Sequence, residues 1–194
     1  MVATLNPSKG RELRELLIGI PHVVQVLAGM PGAWLPEEGA TSYRDNALLK
    51  ARAGARFSGA LTLADDSGLE VDALGGEPGV VSARFGGPGL DDAGRVRHLL
   101  ARLTGVEPAR RTARFRCVIA LVDPAGREHV VEGVAEGVIA EAPRGSGGFG
   151  YDPVFLYPPL GRTFGELTEA EKAPVSHRGR AVLAARRLLS RQLG

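Results

Sequence analysis

Apolar and polar positions fall along the chain in blocks of changing period, and the blocks predict interleaved helices and strands. Val2–Leu5 is a short apolar run that stops at Asn6-Pro7-Ser8, where Asn6 caps a helix with Pro7 at its first position. Leu13, Leu16 and Leu17 keep helical spacing through about Ile18; His22–Ala28 reads as a second strand and Pro31–Gly39 as a loop. Thr41 or Ser42 caps an alanine-rich helix running to about Phe57. Leu61–Ala64 is an apolar strand opening onto a glycine turn at Asp65-Asp66-Ser67-Gly68, with Leu69–Leu74 as a further strand. Loops at Gly75–Gly79 and Gly86–Gly89 bracket Val80–Phe85, and Asp91 or Asp92 starts a helix through about Leu103. Thr112–Val122 and Glu128–Ala142 are long strands joined by a hairpin turn at Asp123-Pro124-Ala125-Gly126. Glycine-rich Pro143–Gly150, a short strand at Val154–Leu156 and a last helix, capped by Ser176 and ending near Leu193, complete the chain. Helices and strands alternating around a central hairpin predict an α/β fold with a mixed sheet, as a single domain over residues 1–194 without a separable linker.

Composition narrows the function. Basic and acidic residues nearly balance at 24 and 22, which argues against a nucleic-acid or membrane partner. The arginines of the last helix, Arg178, Arg180, Arg186, Arg187 and Arg191, read as a solvated face rather than an RNA surface, with Val182, Ala185, Leu188 and Leu189 turned inward. The one cysteine, Cys117, lies in an apolar strand and reads as an inert core thiol. No apolar run is long enough to cross a bilayer and no signal-peptide pattern is present, so a cytoplasmic protein is expected.

Lysine is scarce. Of the 24 basic residues only Lys9, Lys50 and Lys172 are lysine, in a chain that uses arginine wherever a surface cation suffices. Positions that keep lysine point to a need for a compact, flexible ammonium. Each falls in a polar cluster. Thr4-Leu5-Asn6-Pro7-Ser8-Lys9 joins a strand end to a helix start, a setting suited to phosphate; Lys9 opposes the helix dipole there, so an anion nearby is expected. On a helix Asn46 and Lys50 stack at i, i+4, with Asp45 about 100° round. Asp65 and Asp66 are costly to bring together without a cation, and oxygen ligands beside phosphate favour Mg²⁺. In Gly145–Pro153, glycines around Phe149 let a flat ligand approach and stack, with Asp152 available to a base edge. Lys172, His177 and Arg178 all donate hydrogen bonds, which suits keto oxygens or phosphate.

Taken together, the runs ATLNPSK, SYRDNALLKA, ADDSGLEVDALGGEPGVVSAR, GGFGYDPVF and EKAPVSHR resemble the inosine/xanthosine triphosphate pyrophosphatases, in family order and nearly end to end. The resemblance implies an elongated mixed sheet flanked by helices, with two lobes around a central active-site cleft, usually as a homodimer. It implies Mg²⁺-dependent hydrolysis of ITP, dITP, XTP or dXTP to the monophosphate and pyrophosphate, removing deaminated purines from the nucleotide pool. Thr4, Leu5, Asn6, Pro7, Ser8 and Lys9 would hold phosphates with Ser67 beside them, and Lys9 with Lys50 would stabilise the leaving pyrophosphate. Asp66 would orient or deprotonate water and hold metal with Asp45. Phe149, Gly150, Tyr151, Asp152, Lys172, His177 and Arg178 would form the base pocket. Two departures stand out: Asp45 occupies the place of the family's glutamate, one methylene shorter, so a water can stand between it and the metal, and Ala173 replaces an asparagine. A donor-lined pocket accepts the 6-keto group of hypoxanthine or xanthine and opposes the 6-amino group of adenine. The related Maf-like pyrophosphatases and a catalytically silent nucleotide binder are the competing readings. The SHR and GFGYDP runs weigh against the first, and magnesium-dependent pyrophosphate release from ITP decides the second.

Overall fold

The computed structural model describes residues 1–39 and 42–192. The expected caps place the helices. Asn6 accepts hydrogen bonds from the Ser8 and Lys9 amides and starts α1 (Pro7–Leu16); Ser42 accepts from the Asp45 amide and starts α2 (Tyr43–Ser58), which ends on left-handed Gly59. Thr41, the other capping candidate, and Leu193, the expected end of the last helix, lie outside the described residues. β1 (Thr62–Val71) follows, then α3 (Asp92–Arg102) capped by Asp91, and the long hairpin of β2 (Thr112–Val122) and β3 (Glu128–Ile139). Two short strands, β4 (Phe155–Tyr157) and β5 (Arg162–Thr163), one turn of helix, α4 (Glu169–Lys172), and α5 (His177–Gln192) close the fold.

The sheet runs in the order β1-β2-β3-β4-β5, antiparallel where β3 meets β4 and β4 meets β5. Val2 adds parallel bridges to Val26 and Leu63, so the β-structure is mixed. Two expectations need correction. His22–Ala28 is not a strand: Val2 exchanges hydrogen bonds with Gln25 and Leu27, and Val26 forms only an isolated bridge. Leu61–Ala64 and Leu69–Leu74 are not separate strands around a turn. β1 passes straight through Asp65–Gly68, and Gly68 is not among the left-handed glycines. Side chains alternate across a strand, so the two aspartates leave on opposite faces, where separate cations meet them.

The chain divides into two compact units. Unit one holds Met1–Asp66, Cys117–Gly133 and the chain from Arg178 on; its core joins Val2, Leu13, Leu63, Ile119 and Leu121 to the inward face of α5, Ala181, Val182, Ala185 and Leu189. Arg186 turns its guanidinium onto the Leu16 and Ile18 carbonyls at the end of α1, a helix-capping contact rather than an RNA-facing one. Cys117 is fully buried there, and burial pushes its thiol far up, which fits an inert core residue. Unit two holds Ser67–Arg116 and Val134–His177. Its core centres on Phe115, Phe155 and Phe164, with ring centroids 4.6 to 6.0 Å apart.

Candidate active site

All three lysines end against a buried aspartate: Lys9 Nζ lies 3.3 Å from Asp65 Oδ2, Lys50 Nζ 3.5 Å from Asp66 Oδ1, and Lys172 Nζ 2.7 Å from Asp152 Oδ2. The first two pairs belong to unit one and the third to unit two.

In unit one α2 grips Asp66 by its i, i+4 pair. Asn46 Nδ2 donates to Asp66 Oδ2 at 3.0 Å while Lys50 faces Oδ1. Lys50 also donates to Glu38 Oε1, so two carboxylates share one ammonium. Sequence reasoning missed Glu38, which sits in the irregular Pro31–Gly39 segment and meets its partner 12 residues away. Asp45 is placed otherwise: its carboxylate is exposed and accepts from the Ser42 hydroxyl at 2.7 Å, closing the cap of α2.

On the opposite face of β1, Asp65 Oδ2 meets Lys9 and accepts from Arg178 Nε at 3.3 Å and Nη2 at 3.1 Å. The anion expected beside Lys9 is therefore Asp65. The first amides of α1 already serve Asn6, so an anion arriving at this helix start would meet side chains, Lys9 above all.

The two neighbouring carboxylates titrate in opposite directions. Burial pushes Asp66 up, and Glu38 adds to this against the pull of Lys50 and Lys9. Burial also acts on Asp65, but Lys9, Arg178 and Lys50 together hold it far below the usual carboxylate range. The split leaves Asp65 ionised and makes Asp66 the more readily protonated of the two. Lys50 remains a cation, since Asp66, Asp65 and Glu38 outweigh the lowering caused by burial.

In unit two Asp152 Oδ2 accepts from the Phe149 amide at 2.9 Å and from Lys172, whose ammonium stands 5.4 Å from the Phe149 ring centroid and 5.7 Å from that of Phe164. His177 stacks on Phe115 with centroids 4.6 Å apart and planes 13° from parallel. Asp92, at the start of α3, accepts from the Gly150 amide at 2.8 Å and ties down the glycine-rich loop. Tyr151 is buried, its hydroxyl donating to the Ser82 carbonyl. Arg178, expected with Lys172 and His177, pairs with Asp65 and Glu12 in unit one.

Gly148 is held at φ +70°, and a Cβ there would fall on the Asp152 carboxylate, 2.8 Å from its Cγ. Gly148→Ala therefore drives Asp152 off Lys172 and the Phe149 amide. Urea unfolding of this variant is expected to show a loss of about 2–4 kcal/mol, from strain plus a disturbed buried pair; a loss below 0.5 kcal/mol would remove the steric argument.

Among the described residues no three His, Cys, Asp or Glu side chains form a ready cage for a metal, and no helix is long and apolar enough to cross a membrane.

Known proteins are similar to this chain over nearly its whole length. The sequence model of the Ham1 family matches residues 1–188. A dITP/XTP pyrophosphatase from Desulforamulus reducens is 50% identical over 191 residues, covering 98% of this chain and 95% of its own. One from Thermus thermophilus is 50% identical over 184 residues, covering 95% and 88%. The structure of a HAM1 protein from Coxiella burnetii is similar with a TM-score of 0.88 at 38% identity, over 98% of this chain and 97% of its own.

Proposed function

The chain belongs to the Ham1 family, and from that premise we propose that it is a nucleoside triphosphate pyrophosphatase hydrolysing dITP and XTP type substrates to the monophosphate and pyrophosphate. The observation that carries the reading is the pair Asp65 and Asp66, adjacent in sequence, opposed on β1 and oppositely tuned, each beside one of the rare lysines.

The chemistry follows from these residues. Asp66, oriented by Asn46, takes a proton from the water that attacks in line with the α–β bridging oxygen. Lys50 and Lys9 oppose the charge that grows on the departing pyrophosphate. Lys172 and His177 donate to the purine's 6-keto oxygen, and Phe149 offers a ring to stack on. ATP turns a donor toward these donors and is turned over more slowly. Removal of deaminated purine triphosphates from the nucleotide pool is the role this selectivity would serve.

Mg²⁺ fits the donor set. Asp66 Oδ1 and Glu38 Oε1 converge on Lys50, giving two hard oxygens where the ion commonly uses one or two carboxylates with substrate phosphates. Mg²⁺ held by Asp66 and Glu38 would neutralise and orient the phosphates. Asp45 bears on the ion only indirectly in this proposal, because its carboxylate serves the α2 cap.

This predicts a titration. In metal-free protein followed by carboxyl NMR, Asp66 titrates above the ordinary value of 3.8 and Asp65 below it. A cation favours the ionised acid, so adding Mg²⁺ moves the Asp66 midpoint down and leaves Asp65 in place. An Asp66 midpoint indifferent to Mg²⁺ removes it as a ligand. A homodimer and a cytoplasmic location belong to the same proposal; sedimentation and cell fractionation check them.

A further inference from the structure

We propose that Asp92 is a positioning residue for purine binding: from the first turn of α3 it holds the Gly150 amide and so fixes the loop that presents the Phe149 ring. The inference rests on the pyrophosphatase reading for its kinetic consequence, and on geometry for the rest.

The loop has little of its own to hold it in one shape. Gly145, Gly148 and Gly150 stand at φ +77°, +70° and +62°, and glycine leaves the backbone free to take many other conformations. Hydrogen bonds must then select the shape, and two successive amides show how. Phe149 N–H donates to Asp152 Oδ2 within the same turn. Gly150 N–H donates at 2.8 Å to Asp92 Oδ2, 58 residues away in the chain. The first bond shapes the turn and the second moors it to α3. Tyr151 adds another tie on the far side, its hydroxyl donating to the Ser82 carbonyl at 2.9 Å. All of these residues belong to unit two.

The start of α3 does not depend on Asp92. Asp91 is the cap, its Oδ1 accepting from the Gly94 amide at 2.7 Å. Asp92 is exposed, and its Oδ1 lies 3.3 Å from Arg95 Nη1 on the helix surface, a kind of pair that adds little to stability. Its charge suits the positive end of the helix, but any acid of the first turn would supply that. What the cap, the surface pair and the dipole leave unexplained is the second oxygen, aimed at the amide that follows Phe149. A ring held in place before the base arrives spares binding the cost of ordering the loop. The base keeps its stack while the phosphates react, so the benefit falls on KM rather than kcat.

Two variants of one residue test this. Asp92→Ala, Asp92→Asn and wild type are compared by steady-state pyrophosphate release from ITP, by calorimetric binding of inorganic tripolyphosphate and by amide hydrogen exchange. Asp92→Ala is expected to raise KM for ITP about tenfold, the scale of one hydrogen bond to a charged group, with kcat within about threefold of wild type. Tripolyphosphate carries no base, and its affinity stays within about twofold of wild type. Exchange of the Gly150 amide quickens at least about tenfold, while the Val96 and Leu99 amides inside α3 keep their wild-type rates. Asp92→Asn removes the charge but keeps an oxygen for the Gly150 amide. Its KM and its Gly150 exchange return to within about threefold of wild type, a rescue that loss of charge or of helix stability alone would not give. An Asp92→Ala KM close to wild type, a loss confined to kcat, a parallel loss of tripolyphosphate binding, or an Asp92→Asn variant as impaired as Asp92→Ala each overturns the proposal. Should wild type release no pyrophosphate from ITP, the functional reading falls and Gly150 exchange decides whether Asp92 holds the loop; exchange unchanged in Asp92→Ala overturns that as well.

Discussion

Asp66→Asn lowers kcat on ITP by about 10³-fold or more while the folded protein keeps or gains stability at neutral pH. The amide preserves the shape that Asn46 and Lys50 hold but cannot accept a proton from water, and loss of a positioned general base commonly removes about 10²–10⁴-fold. Loss of a metal ligand adds to that. The stability sign follows from the raised pKa. A carboxyl whose folded pKa lies above its unfolded one binds protons more readily when folded, so its ionised form opposes folding at pH values above both. A neutral amide lifts that opposition, and Lys50 retains Glu38. Steady-state kinetics and thermal unfolding on one preparation check both halves. Near-normal turnover would take Asp66 out of the chemistry, and a large drop in melting temperature would turn its role into a structural one.

Lys172→Met cuts kcat/KM for ITP by about 100-fold and leaves the slow turnover of ATP nearly unchanged, so discrimination between the two contracts by a similar factor. Methionine keeps an unbranched apolar stem between Phe149 and Phe164 while removing the donor and the charge. The variant also removes the ammonium that neutralises Asp152, and loss of one partner of a buried pair costs about 3–5 kcal/mol. Rates are therefore compared below the variant's melting transition, with circular dichroism at the assay temperature. A discrimination ratio equal to wild type would separate Lys172 from recognition of the 6-keto oxygen.

Local rules made much of this legible from sequence. Asn6-Pro7, Ser42, Asp91 and the Asp123–Gly126 turn mark their elements because capping and turn chemistry act over three or four residues. The rarity of lysine pointed to clusters that the fold builds, since each lysine meets a buried aspartate. What sequence obscured is what depends on direction. Asp65-Asp66 reads as one acidic cluster, yet the period of a strand sends the two to opposite faces and to different partners. His177-Arg178 reads as one donor run, yet successive helical residues diverge by about 100°, and the first stacks on Phe115 while the second meets Asp65. Glu38 carries no periodic signal, and its pairing with Lys50 depends on the course of an irregular segment. Asp45, a metal ligand only by the family resemblance, accepts from Ser42 in a cap that forms within one turn.

Incubation of the purified protein with ITP and Mg²⁺, with every phosphorus product resolved by ³¹P NMR, tests the central claim most directly. The account predicts one pyrophosphate for each IMP, no orthophosphate and no IDP, and no reaction once the ion is chelated. Orthophosphate with IDP, or an intact ITP signal beside a folded protein, would contradict it.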